Sequence, residues 1–184
     1  MIVVIVLLAL IGFVLLLGVV IYNQLVQLKN MVAEGWSGID VQLKKRANLI
    51  PNLVDTVKGY MTHERDLLEK VTDLRARSTR TADPAEKGKL EGALTRSLAQ
   101  IFAVAEQYPD LKANQNFLDL QGQLAEIEND IEMARRYYNG TARNLNIKVE
   151  SFPSNIIAGM FGFSGAEFFE IEDQKDRQIP QVKF

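Results

Sequence analysis

The sequence predicts an all-α protein: an N-terminal transmembrane helix followed by an antiparallel bundle of long helices. Three observations carry that reading. Residues 1–22 contain no charged side chain. Beyond them, apolar residues recur at steps of three and four, the spacing of one helix face. No segment alternates with period two, as a half-buried strand would.

At about 1.5 Å of rise per residue, the first 22 residues span roughly 33 Å, enough to cross a hydrocarbon core about 30 Å thick. A cleaved signal peptide would carry a basic head, a shorter apolar run and a small-x-small cleavage site. None of these is present, and Gly18-Val19-Val20-Ile21-Tyr22 provides no such site. The segment is therefore expected to stay on the protein as its anchor. Lys29, Lys44, Lys45 and Arg46 follow the span. The positive-inside rule then places the C-terminal domain in the cytoplasm and the N-terminus outside.

After the anchor, Leu25, Leu28, Val32, Trp36, Ile39, Leu43, Ala47, Ile50 and Val54 form a helical stripe, continued by Val57, Met61, Leu68, Val71 and Leu74. The first helix is predicted over 24–78, continuous with the anchor. It should bend near 48–52, because Pro51 lacks an amide and crowds the preceding turn. A polar loop occupies 77–82. Asp83-Pro84 then starts a second helix, as N-cap and first helical residue. Leu90, Leu94, Leu98, Ile101 and Ala105 carry it to about Gln107, and Tyr108-Pro109 ends it.

The third predicted helix has the clearest pattern. Phe117, Leu120, Leu124, Ile127, Ile131, Ala134, Tyr138, Thr141, Leu145, Val149 and Phe152 follow coiled-coil spacing. Gly140 weakens this helix by about 1 kcal/mol relative to alanine without stopping it. Pro153 stops it, and Ser154 or Asn155 can cap one or two further turns. The domains are thus an anchor at 1–22, a bundle at 23–163 and a tail at 164–184, unstructured from about 170.

Composition narrows the chemistry. The chain has 184 residues, no cysteine and a net charge of −2, so disulfides and thiolate metal sites are excluded and no basic footprint marks a nucleic-acid partner. His63 is the single histidine. It cannot make a di-iron Glu-x-x-His pair, a zinc set or a Ser/His/Asp set alone. Gly159, Gly162 and Gly165 follow no strand, so they form no phosphate loop. The expectation is a protein without catalysis, cofactor, metal or small-molecule substrate.

Other residues suggest interaction. Asn114, Gln121, Glu128 and Arg135 recur every seven residues beside the apolar seam, and Arg46 and Asn52 are placed to face them. Such a row is either a solvated face or a set of polar contacts that fixes bundle register. Phe161, Phe163, Phe168 and Phe169 are read as a cap over one end of the bundle; the alternative is an interface with bilayer or partner.

Ordered blocks along the chain resemble one family. They are Tyr22-Asn23-Gln24-Leu25-Val26, Ile39-Asp40-Val41-Gln42-Leu43-Lys44-Lys45-Arg46, Leu49-Ile50-Pro51-Asn52-Leu53-Val54, Val57-Lys58-Gly59-Tyr60 and His63-Glu64. Later come Leu111-Lys112-Ala113-Asn114-Gln115-Asn116-Phe117, Ala134-Arg135-Arg136-Tyr137-Tyr138-Asn139 and Phe152-Pro153-Ser154-Asn155. Together they resemble the LemA family of bacterial membrane proteins. The resemblance implies one N-terminal transmembrane helix, an N-out, C-in arrangement and a bundle of long helices. It implies no particular chemistry.

The functional expectation is a scaffold or adaptor at the bacterial cytoplasmic membrane, with an accessory subunit of a membrane protease or transporter as the alternative. The lengths of the predicted helices add self-association. At about 1.5 Å per residue the first is near 80 Å, the second near 36 Å and the third near 60 Å. The second therefore cannot cover the membrane-proximal half of the first. Leu28, Val32, Trp36, Ile39 and Leu43 would be left bare and are expected to pair with another copy of the chain. Leu124→Asp and Ile131→Asp should each cost several kcal/mol by placing an unpaired charge in the seam. Thermal unfolding of the two variants checks this.

Overall fold

The computed structural model describes residues 1–170. Among them are six helices: α1 (Ile2–Lys58), α2 (Arg65–Arg80), α3 (Pro84–Ala105), α4 (Pro109–Lys112), α5 (Gln115–Glu150) and α6 (Ser154–Phe161). The all-α prediction holds, with no strand among the described residues. The residues beyond 170, where the sequence predicts loss of structure, lie outside those described.

Several predicted boundaries fall where local chemistry puts them. Asp83 caps α3, its Oδ2 accepting from the Glu86 amide at 2.7 Å, with Pro84 in the first turn. Asn114 Oδ1 accepts from the Phe117 amide at 3.2 Å and so caps α5. α5 passes through Gly140 without a break. Gly162 ends α6 in the left-handed region at φ 69°, and the Phe163 amide closes back on the Ala158 carbonyl at 2.9 Å.

One boundary differs. The helix predicted to run to 78 breaks at 59–64, and α2 turns back along α1. The spacing concealed the break because Met61, within the turn, is itself buried. Val57, Met61 and Leu68 keep helical intervals while the chain reverses. Pro51, by contrast, does not interrupt α1. A proline cannot donate to the carbonyl four residues back, here that of Ala47. Arg75 on α2 supplies the missing donor, its Nε reaching the Ala47 oxygen at 2.5 Å.

The chain packs as two units. One holds Gly38–Arg135 together with Phe168, Phe169 and Glu170. Within it the chain runs up, down, up and down. The α1–α2 turn makes the first reversal, the Ser78–Glu91 contact follows the second, and the Arg46–Glu128 contact sets α5 against α1. Its core contains Ile50, Leu53, Val71, Leu94, Ile101 and Leu124. The sequence resolves three helices here and the structure five, because α1 and α2 are separate and the short α4 stands between α3 and α5.

The other unit combines Met1–Ser37 with Arg136–Glu167. Leu25, Leu145 and Ala158 form its small core, flanked by Leu28, Val32, Val149 and Phe163. Ala166 and Glu167 belong to this unit, and Phe169 is wholly buried.

The Arg75–Ala47 contact should depend on Pro51. Arg75→Met should destabilise the wild-type chain by about 1–3 kcal/mol, since it strands a carbonyl. In a Pro51→Ala background, where the amide returns, the loss should largely vanish. A double-mutant cycle of denaturant unfolding measures that coupling.

Candidate functional site: an anchor, its collar and a buried polar layer

The first part of the site is the bare surface of α1. Leu8 is 63% exposed and Leu16 67%, whereas Leu25, one turn past the run, is fully buried. No residue of the anchor is buried, and its last turn, at Gly18 and Tyr22, meets α6. α1 is the one helix among the described residues long and apolar enough to cross a membrane.

From the last turn of the anchor onward, α5, α6 and the segment after it collar α1. Gly35 permits this: a Cβ there would come within 3.1 Å of the Tyr138 Cα. The Trp36 and Tyr138 rings consequently meet at 5.6 Å. The Tyr138 hydroxyl donates to the Glu167 carbonyl at 2.7 Å, and burial, reinforced by Glu167, raises its pKa. Asn146 brackets Ala166, donating to its carbonyl at 3.0 Å and accepting from its amide at 2.7 Å. These three bonds strap residues 162–167 onto α5. A cleft of about 320 Å³ remains beside Lys29, Val32, Trp36, Tyr138 and Phe163. The Lys29 ammonium stands 6.0 Å from the Phe163 ring centre.

The stripe expected to be bare is therefore largely covered within the chain. Ile39 and Leu43 are buried, and Leu28, Val32 and Trp36 are half-buried. Leu28 and Val32 pack in the small core of the membrane-proximal unit. The length argument failed for Leu28, Val32 and Trp36 because α5 and the chain after α6 both run along them. The aromatic segment divides. Phe163 and Phe169 turn inward, while Phe161 and Phe168 stay exposed.

The second part is a polar layer inside the Gly38–Arg135 unit. Ile39, Leu43, Arg46, Ile50, Leu53 and Val57 follow strict four-three spacing and are all buried. Arg46 thus occupies a seam position. Its Nη1 donates to Thr95 Oγ1 at 2.8 Å and to Glu128 Oε2 at 2.5 Å. Its Nη2 donates to a carboxylate oxygen of Glu91, whose other oxygen accepts from the Ser78 hydroxyl. Four helices meet in one charge-assisted network. Arg46 Nε stays buried without a hydrogen-bond partner. Nearby, Asp40 accepts from Lys87 at 2.8 Å and pairs with Lys44 at 2.8 Å. Hydrogen bonds from Lys44 and Lys87 hold its carboxyl below the ordinary aspartate value.

Of the predicted polar row, the structure brings together Arg46 and Glu128. Asn114 receives a second role, donating to the Tyr60 hydroxyl at 3.2 Å. Gln121 and Arg135 are half-buried along α5, and Asn52 is exposed. Sequence reasoning missed Glu91, Ser78, Thr95, Lys87 and Asp40. A signal for two of them existed: Lys87, Glu91, Leu94, Leu98, Ile101 and Ala105 also step by four and three. Two charges stand in that seam where leucines would otherwise be.

The titratable groups elsewhere do not converge. His63 is exposed in the turn after α1, and Glu64 accepts from the Tyr108 hydroxyl at 2.8 Å, which raises that hydroxyl's pKa. Among the described residues, no three metal-ligating side chains gather at one point.

A bare apolar span joined without a linker to a packed helical domain defines a membrane-associated helical protein. The chain belongs to the LemA family, whose model matches residues 35–184. It is similar to magnetosome protein MamQ 2 of Paramagnetospirillum magneticum, 24% identical over 88% of this chain and 70% of that one. It is also similar to protein LemA of Metamycoplasma hominis, 26% identical over 82% of this chain and 69% of the relative. Magnetosome protein MamQ of Magnetospirillum gryphiswaldense is 21% identical over the same shares as MamQ 2, 88% and 70%.

Arg46→Ala should destabilise the protein by about 3–5 kcal/mol, because Glu91 would be left buried and unpaired. Replacing both, as Arg46→Met with Glu91→Met, should recover most of that loss. Chemical denaturation of the single and paired variants reads the difference.

Proposed function

We propose that this chain is a single-pass scaffold or adaptor of the bacterial cytoplasmic membrane, holding its helical bundle in the cytoplasm and performing no chemistry of its own. The observation that carries the reading is the continuity of α1. The helix that presents the bare anchor also forms a wall of the collar, so the first packed unit is mounted on the bilayer without a flexible tether. Exposed Lys29, Lys44 and Lys45 beyond the span support a cytoplasmic bundle. The polar layer is made of groups that bind one another, which suits a role in holding helices. The proposed partners are therefore the lipid bilayer and proteins, with no cofactor, nucleic acid or small-molecule substrate.

Self-association belongs to the same proposal, with support from a different surface than the α1 stripe. Tyr137, Gly140, Asn144 and Ile147 share the outward face of α5 and carry no charge. Tyr137 and Ile147 are about half exposed, at 46% and 55%, and nothing lies within 4 Å of a Cβ built on Gly140. Confinement to one membrane raises the effective concentration at which two such faces meet.

Extraction in mild detergent, followed by mass measurement, should give a complex made only of copies of this chain. Ile147→Glu should dissolve it while leaving helical content unchanged. Monomers across a wide concentration range, or a stoichiometric heterologous protease or transporter, would reject the scaffold reading, the latter in favour of an accessory subunit. A periplasm-dependent reporter fused after Phe184 should be silent; activity would reverse the orientation.

A further inference from the structure

We propose that α6 and the turn before it are themselves seated in the bilayer beside the anchor, as a second membrane-contacting element. The proposal rests on the anchor reading. Its first ground is position. Ile157 Cδ1 lies 3.8 Å from a Cβ built on Gly18, and the Phe161 ring stacks edge-on to Tyr22 at 4.8 Å. α6 thus lies alongside the last turn of the apolar run, not above it. Gly18 stands four residues before Tyr22, so Ile157, midway along α6, reaches about 6 Å below the end of the span. Helices that lie in a membrane interface sit at about that depth.

The second ground is chemistry. Residues 151–166 contain no charged side chain, the longest such run outside the anchor. Within it, Ser154 and Ala158 face inward and are buried, and the Ser154 hydroxyl is satisfied by the Ser151 carbonyl at 2.9 Å. The outward face is Phe152, Ile156, Met160 and Phe161, exposed by 80%, 53%, 72% and 59%. A patch of this kind in water is a liability. At this level of α1, however, the surroundings are already set. The adjacent anchor surface from Leu17 to Val20 is apolar, bare and requires lipid. The bilayer that receives the anchor therefore covers α6 with no further partner. Lys29, seven residues past the anchor, and Lys148, three before the uncharged run, are long enough to keep their ammonium groups at the headgroups.

The chain lacks cysteine, so single Phe152→Cys and Met160→Cys variants of the full chain can carry an environment-sensitive fluorophore without further change. Leu10→Cys serves as the anchor reference and Ala103→Cys, exposed on α3, as the aqueous one. Each is reconstituted in phosphatidylethanolamine–phosphatidylglycerol vesicles. Quenching is then compared between acyl-chain nitroxide lipids and aqueous iodide. Positions 152 and 160 should follow Leu10→Cys, with several-fold stronger lipid quenching than Ala103→Cys. If both follow Ala103→Cys, the inference is wrong while the anchor stands. If both are shielded from iodide yet unreached by the lipid nitroxide, another protein surface covers α6 and the inference is equally overturned. Loss of lipid quenching at Leu10→Cys would instead bring down the anchor reading and this one with it.

Discussion

A guanidinium taken out of water must find its counter-charges, or the fold that buries it loses several kcal/mol. Arg46 imposes that condition on the bundle. It stands in a seam of otherwise apolar residues, and its partners come from three other helices: Ser78 through Glu91, Glu91 and Thr95, and Glu128. Sliding any one helix by a turn would keep leucine against leucine but would separate these groups. Apolar packing tolerates several registers, whereas this network is complete in the one observed. Fixing register is the best-attested use of polar groups in helical cores.

The same economy treats backbone as well as side chains. Pro51 leaves the Ala47 carbonyl without its helical donor, and Arg75 from the neighbouring helix supplies one. A break in the local hydrogen-bond ladder becomes a tertiary contact one turn from the polar layer. α1 can then remain a single helix through Pro51.

The membrane-proximal unit follows another rule. Its core is small, and its order comes from close backbone approach and from bracketing hydrogen bonds. Gly35 lets α5 come near enough for Trp36 and Tyr138 to meet, while Tyr138 and Asn146 tie down the chain that follows α6. The inward and outward halves of the aromatic segment separate here. Phe163 completes this core, and Phe161 faces outward at the level where the anchor ends.

The sequence alone determined the properties that arise locally: the apolar span, the helical period, the Asp83-Pro84 start and the stop at Pro153. Each depends on residues within a turn or two of one another, so spacing and composition express it. It did not reveal the turn at 59–64, because buried Met61 preserved the helical interval. It also misjudged the stripe from Leu28 to Trp36 as uncovered, because what packs on it comes from Tyr138, Leu145 and Phe163, a hundred residues and more away. The polar layer was half legible. The seven-residue row pointed to Glu128 and Arg46, and Lys87 and Glu91 stood in the apolar seam of their own helix, yet that spacing did not pair Glu91 with Ser78 or Arg46. Only the tertiary structure decided that they meet, because a buried charge is recognised by what surrounds it in space, and those neighbours are distant in the chain.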